Sequence, residues 1–71
     1  MTNKNELRAQ IVRHGDTNQS LADAFNYAVS TISKKVNGER DFTQTEIDFI
    51  KRRYNLTPEE VDLIFFTQKV D

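Results

Sequence analysis

Thr17-Asn-Gln-Ser-Leu-Ala-Asp-Ala-Phe-Asn-Tyr-Ala-Val-Ser-Thr-Ile-Ser-Lys-Lys-Val-Asn-Gly38 carries two short helical patterns that one straight helix cannot accommodate. Leu21, Ala22 and Phe25 fall at i, i+1 and i+4, one face of a first helix. Ile32 and Val36 repeat at i and i+4 on a second, with Val29 one turn earlier on its flank. Asn26 stands between them. Asparagine is among the few non-glycine residues that enter the left-handed region, where one helix ends and the chain turns. Ala22 is small enough to let two helices cross steeply, and Tyr27 is placed to plug the corner. Gly38, after Asn37, closes the second helix where positive φ costs little. The pattern predicts two helices around a tight turn, a helix-turn-helix over residues 17–38.

Upstream, Asn3 and Glu6 have the spacing of a capping box, which predicts a helix beginning near Lys4. Leu7 and Ile11 line its inner face with Val12 beside them, His14 falls in the last turn, and Gly15 terminates it. A lone histidine near a helix C-terminus favours the dipole and needs no ligand. With one histidine and no cysteine, neither a metal site nor a cofactor is expected. Thr17 caps the next helix and leaves Asn18 and Gln19 at an N-terminus with free backbone donors.

The third helix runs from about Val29 to Asn37. With Ile32 and Val36 inward, a rotation of ~100° per residue turns Ser30, Ser33, Lys34 and Asn37 outward and puts Val29 and Lys35 on the flanks. Thr43 and Glu46 then form a second capping box, with Phe42 and Ile47 as its hydrophobic staple. Ile47, Ile50 and Tyr54 recur along a fourth helix, and Lys51-Arg52-Arg53 near its end has the look of a nucleic-acid patch but reads rather as a solvated face favoured by the dipole. Asn55 ends that helix and the device repeats: Thr57 caps, Pro58 takes the first position, Glu60 completes the box, and Leu56 with Val61 makes the staple. The fifth helix packs Val61, Ile64 and Phe65 inward. Phe66, on another face, is placed either for a subunit contact with Val70 or to lean on the tail.

Five helices in 71 residues make one all-α domain spanning residues 1–71. No cysteine is present to staple it, so helix packing must hold it, and the composition suits a reducing cytoplasm. No apolar run approaches the ~18 residues of a membrane span, and the N-terminus does not read as a signal peptide. Ten basic and eleven acidic residues give a net charge of −1, unevenly spread. Residues 28–40 carry Lys34, Lys35 and Arg40 against Glu39, a local +2, while residues 56–71 carry Glu59, Glu60, Asp62 and Asp71 against Lys69, a local −3. One face can therefore be basic on an acidic molecule. No second histidine, glycine-rich phosphate loop or apolar-set carboxylate pair points to catalysis, so no enzymatic activity is expected.

Leu21-Ala22, Asn26, Ser30-Thr31-Ile32-Ser33 and Asn37-Gly38, in this register, resemble the helix-turn-helix of phage Cro and lysogenic-repressor proteins. Chain length and helix count are similar to a small Cro-type protein throughout. The resemblance implies a lambda-repressor-like fold in which Asn18 and Gln19 meet a DNA phosphate and Val29, Ser30, Ser33 and Lys34 meet base edges. It also implies that Arg40, with Asn37 beside it, lies against the backbone. Two positions depart from the family pattern. Ala28 stands where a capping serine is frequent, and no Gln, Asn or Arg occupies the leading base-reading positions.

Two functions are expected from the resemblance, both in the cytoplasm of a bacterial host. The first is a Cro-type repressor that binds double-stranded operator DNA as a homodimer and occludes a promoter in a phage genetic switch. The second is an antirepressor that binds the phage repressor and masks its DNA-reading surface. The acidic balance and the short side chains of the third helix favour the second.

Overall fold

In four of five helices the chain begins with a residue whose side chain takes up the amide three positions on, satisfying a donor that has no intrahelical partner. The computed structural model describes residues 2–66. Among them run α1 (Lys4–Arg13), α2 (Asn18–Phe25), α3 (Val29–Val36), α4 (Gln44–Tyr54) and α5 (Pro58–Phe65), with no strand. The Thr43–Glu46 and Thr57–Glu60 boxes are closed in both directions, each glutamate returning to the amide of its threonine at 2.8 and 2.9 Å. Thr17 forms a box too, with Ser20 as its partner. Ala28, before α3, offers no side-chain cap.

The expected box at Asn3 is only half made. Its side chain accepts from the Glu6 amide, but its own amide donates to the Ile64 carbonyl at 2.6 Å. That bond fastens the start of α1 to the end of α5, and it leaves Glu6 nothing to return to.

All four turns use one device. Gly15, Asn26, Gly38 and Asn55 have φ of 72, 61, 83 and 52°. The next residue in each case (Asp16, Tyr27, Glu39 and Leu56) donates its amide back five positions, to Ile11, Ala22, Lys34 and Lys51, at 2.9 Å. This left-handed closure satisfies a carbonyl that the helix end would otherwise strand.

The core is drawn from every helix: Leu7, Leu21, Ala22, Ile32 and Ile50 are fully buried, and Val36, Ile64 and Phe65 nearly so. Ala22 and Ile32 are both fully buried, on α2 and α3, the most extensive helix pairing among the described residues. Phe65 faces inward, edge-on to Phe42 at 5.5 Å, and Phe66 is exposed, as their ~100° separation requires. Val70 lies outside the described residues. The radius of gyration, 11.3 Å, matches the ~11 Å of a compact chain of this length. Among the described residues no helix is long and apolar enough to cross a membrane.

Two expectations about α1 are corrected. Val12 is 76% exposed rather than beside the inner face, because α1's buried stripe runs through Leu7, Gln10 and Ile11. Gln10 takes the place expected of an apolar residue and reaches Glu60 at 3.3 Å. His14 sits at the C-cap, not in the last turn, and its ring stacks on Tyr54 with centroids 4.5 Å apart.

Ile32→Ala is expected to destabilise the protein by about 2–5 kcal/mol, since the corner cannot collapse onto the space left by the side chain. Thr57→Ala is expected to cost about 0.5–2 kcal/mol through its lost cap. Urea unfolding followed by helical circular dichroism measures both.

Candidate nucleic-acid interface

The outer face of α3 presents Ser30 and Lys34, one turn apart and exposed, with Val29 39% exposed at its start. Ser33 lies half-buried at the edge facing α2. There its hydroxyl accepts a hydrogen bond from Asn18 Nδ2 at 3.3 Å. This contact sets the first turn of α2 against the middle of α3. At that first turn Thr17 Oγ1 accepts the Ser20 amide, while the amides of Asn18 and Gln19 are left for solvent or a ligand. Gln19 itself is bonded along the helix to Asp23 at 2.9 Å.

The far end of α3 is tied differently. Arg8, on α1, donates to the side chain of Asn37. Arg8 was not among the residues the sequence singled out, and no local pattern could have found it, since it is 29 positions from its partner. The contact brings a cation to the edge of the α3 face. Lys34 and Arg40 are exposed and make no ion pair among the described residues. Of the residues expected to act together, the structure joins only Asn18 to Ser33, while Asn37 is held by Arg8, a residue outside the expected set. Ser30 and Lys34 stand on the outer face with Val29 exposed on its flank, and Arg40 lies on the exposed segment beyond α3.

Lys35 does not lie on a solvated flank. It is buried, and its ammonium meets Glu46 Oε1 at 2.7 Å and the Asp41 carbonyl at 3.3 Å. Because this charge is neutralised inside, the exposed charges of residues 28–40 are Lys34 and Arg40 against Glu39, a net of +1 rather than +2. Burial pushes the Glu46 carboxyl up. The bonds from Lys35, from the Tyr27 hydroxyl and from the Thr43 amide outweigh that and leave it below its ordinary value.

The start of α2 is positioned by Asp16. Its carboxylate takes two bonds from Arg53, at 2.8 and 2.9 Å, one from the Tyr54 hydroxyl at 2.6 Å and one from Ser20 at 2.8 Å. Arg53 therefore belongs to a tie between α2 and α4 and not to a free basic patch. The Arg53 guanidinium, before all other causes, holds the Asp16 carboxyl far below the usual carboxylate range. Burial, and after it the same carboxylate, raises the Tyr54 phenol.

Among the described residues no group of three or more His, Cys, Asp or Glu is placed to hold a metal ion. Compared with known proteins, the chain matches no family model, no curated protein and no solved structure.

Since the folded carboxyl of Asp16 is depressed, its stabilisation is complete above the unfolded value of ~3.9 and is lost as pH falls toward the folded one. Asp16→Asn is expected to cost about 1.5–3 kcal/mol at pH 7, the range for hydrogen bonds to a charged group. The gap from the parent should narrow below about pH 4. Denaturation at a series of pH values measures it.

Proposed function

We propose that this protein is a DNA-binding regulator of the phage Cro and lysogenic-repressor type, with α2, the Asn26 turn and α3 as its helix-turn-helix. The observation that carries the reading is the Asn18–Ser33 bond. It holds the open amides of α2 beside the exposed face of α3, so a duplex can set a phosphate against the first and base edges against the second.

On this reading Val29 meets a thymine methyl, Ser30 and Ser33 meet base edges, and Lys34 reaches guanine or a phosphate. Asn18, Gln19, Asn37 and Arg40 belong to the backbone contact, and Arg8 joins them from α1. Two copies on half-sites about one DNA turn apart would occlude a promoter in the bacterial cytoplasm. The chemistry is binding, with no catalytic step.

One observation favours a second reading. With Lys35 withdrawn into the core, Lys34 and Arg40 share the neighbourhood of α3 with exposed Asp23, Glu39 and Asp41. Carboxylates repel phosphates and attract a basic protein surface. An antirepressor that covers the DNA-reading face of a phage repressor has this charge pattern.

One substitution gives the two readings opposite signs. Glu39→Lys is expected to strengthen binding to duplexes selected from a random-sequence pool. Lys34→Ala is expected to weaken it and lower the slope of log affinity against log salt by about 0.9. A parent protein that selects no duplex, but forms a complex with a repressor DNA-binding domain that Glu39→Lys weakens, establishes the second reading instead. Mobility shifts over a salt series make the comparison.

A further inference from the structure

The Asn26 turn and the inner side of α3 converge on one carboxylate. Glu46 Oε2 accepts the Tyr27 hydroxyl at 2.6 Å, and Oε1 accepts Lys35 Nζ at 2.7 Å and the Thr43 amide at 2.8 Å. Tyr27 comes from the turn, Lys35 from the back of α3, and Thr43 is the N-cap of α4. Rings close the same joint: Tyr27 stacks on Phe25 with centroids 5.2 Å apart, and Phe25 meets Phe49 of α4 at 4.4 Å. On its other side Lys35 lies over the Phe42 ring at 5.7 Å. Of the Glu46 side chain a capping box needs only the bond to the Thr43 amide. The other two bonds from this side chain go to Tyr27, in the turn before α3, and to Lys35, in the last turn of α3, so that both ends of the helix are held.

We infer that Glu46, acting through Tyr27 and Lys35, is a positioning residue for the exposed face of α3, fixing its tilt on α4 so that Ser30, Ser33 and Lys34 meet their ligand in register. This rests on the DNA reading above. The helix is eight residues long and Ser30 and Ser33 are short, so a small rotation moves their hydroxyls out of hydrogen-bond range. Tyr27 and Lys35 touch no ligand in this arrangement; they determine discrimination and not the electrostatic part of affinity.

Tyr27→Phe is the informative variant, because it removes the hydroxyl and keeps the ring on Phe25. The probes are a duplex selected by the parent protein from a random-sequence pool and a scrambled duplex of the same length. The ratio of the two affinities is expected to fall by about two- to thirtyfold, the range in which side chains remote from a ligand tune binding. The salt slope should stay unchanged, since no phosphate contact is removed. In the free protein, hydrogen exchange of the α3 amides should quicken while α1 and α5 hold.

An unchanged ratio overturns the inference and leaves the DNA reading standing. A lowered salt slope also overturns it, by making Tyr27 a direct phosphate contact. If the parent selects no duplex, the DNA reading fails, and exchange alone then decides whether Glu46 holds α3. Amides of α3 that exchange as before, or all helices quickening alike, overturn that as well.

Discussion

Lys35 and Glu46 form the contact that ties the end of α3 to the start of α4, and burial makes it demanding. Taking an ammonium and a carboxylate out of water costs several kcal/mol for each ion, and their mutual attraction offsets this only when the remaining lone pairs and protons are used. Here they are. The ammonium also meets the Asp41 carbonyl, and the carboxylate also takes the Tyr27 hydroxyl and the Thr43 amide. No buried side-chain nitrogen or oxygen among the described residues is left without a partner. A half-satisfied pair would be worse than an apolar contact, so the arrangement tolerates few alternatives. The turn, α3, the segment through Asp41 and the start of α4 must all be in place together.

The rest of the domain compensates for small size by closing each helix tightly. Helices of 8 to 11 residues are too short to persist alone in water. Side-chain caps at four helix starts and left-handed closures at four turns supply local direction. Apolar residues from all five helices then supply the cooperative part. Two long-range polar ties add to this. The Asn3 amide on the Ile64 carbonyl joins α1 to α5, and Asp16 joins the start of α2 to Arg53 and Tyr54 on α4.

What was legible in the sequence follows from range. The left-handed turns at Asn26 and Asn55, the caps at Thr43 and Thr57, and the inward set Leu7, Leu21, Ile32, Ile50 and Ile64 depend on residues within one or two helical turns, where spacing is diagnostic. The interactions that were missed cross between helices. Nothing in the spacing of Lys35 and Glu46, of Arg8 and Asn37, or of Asp16 and Arg53 marks them as partners. Local pattern alone puts Lys35 on a flank, Glu46 in a capping box, Asn37 on the outer face and Arg53 on a solvated face, and carries no signal for Arg8 or Asp16. Val12 failed for a related reason: its hydrophobicity is local, but whether α1 buries two columns or one depends on where α3 and α5 lie. The candidate interface was legible as a face and not as a charge pattern, because burial of Lys35 changes the balance of exposed charge.

That change bears on how the α3 face could discriminate. Arginine or glutamine at the reading positions would supply long, forked contacts that swing to follow a partner, whereas Ser30 and Ser33 offer single hydroxyls on one-carbon stems. Short side chains let the helix backbone approach more closely. They also cannot correct an error in its placement, since an O–H···O hydrogen bond spans only about 2.5–3.0 Å between its oxygens. A weakly basic surface cannot compensate by binding indiscriminately through phosphates. The demand for accuracy therefore passes from the side chains of α3 to whatever fixes its backbone. Beneath that helix the structure has a buried ion pair, a stacked turn and a fully engaged carboxylate. Firm support under a face of small polar groups is one coherent design, and under either proposed reading it would serve recognition of a duplex or of a protein surface by the same physics.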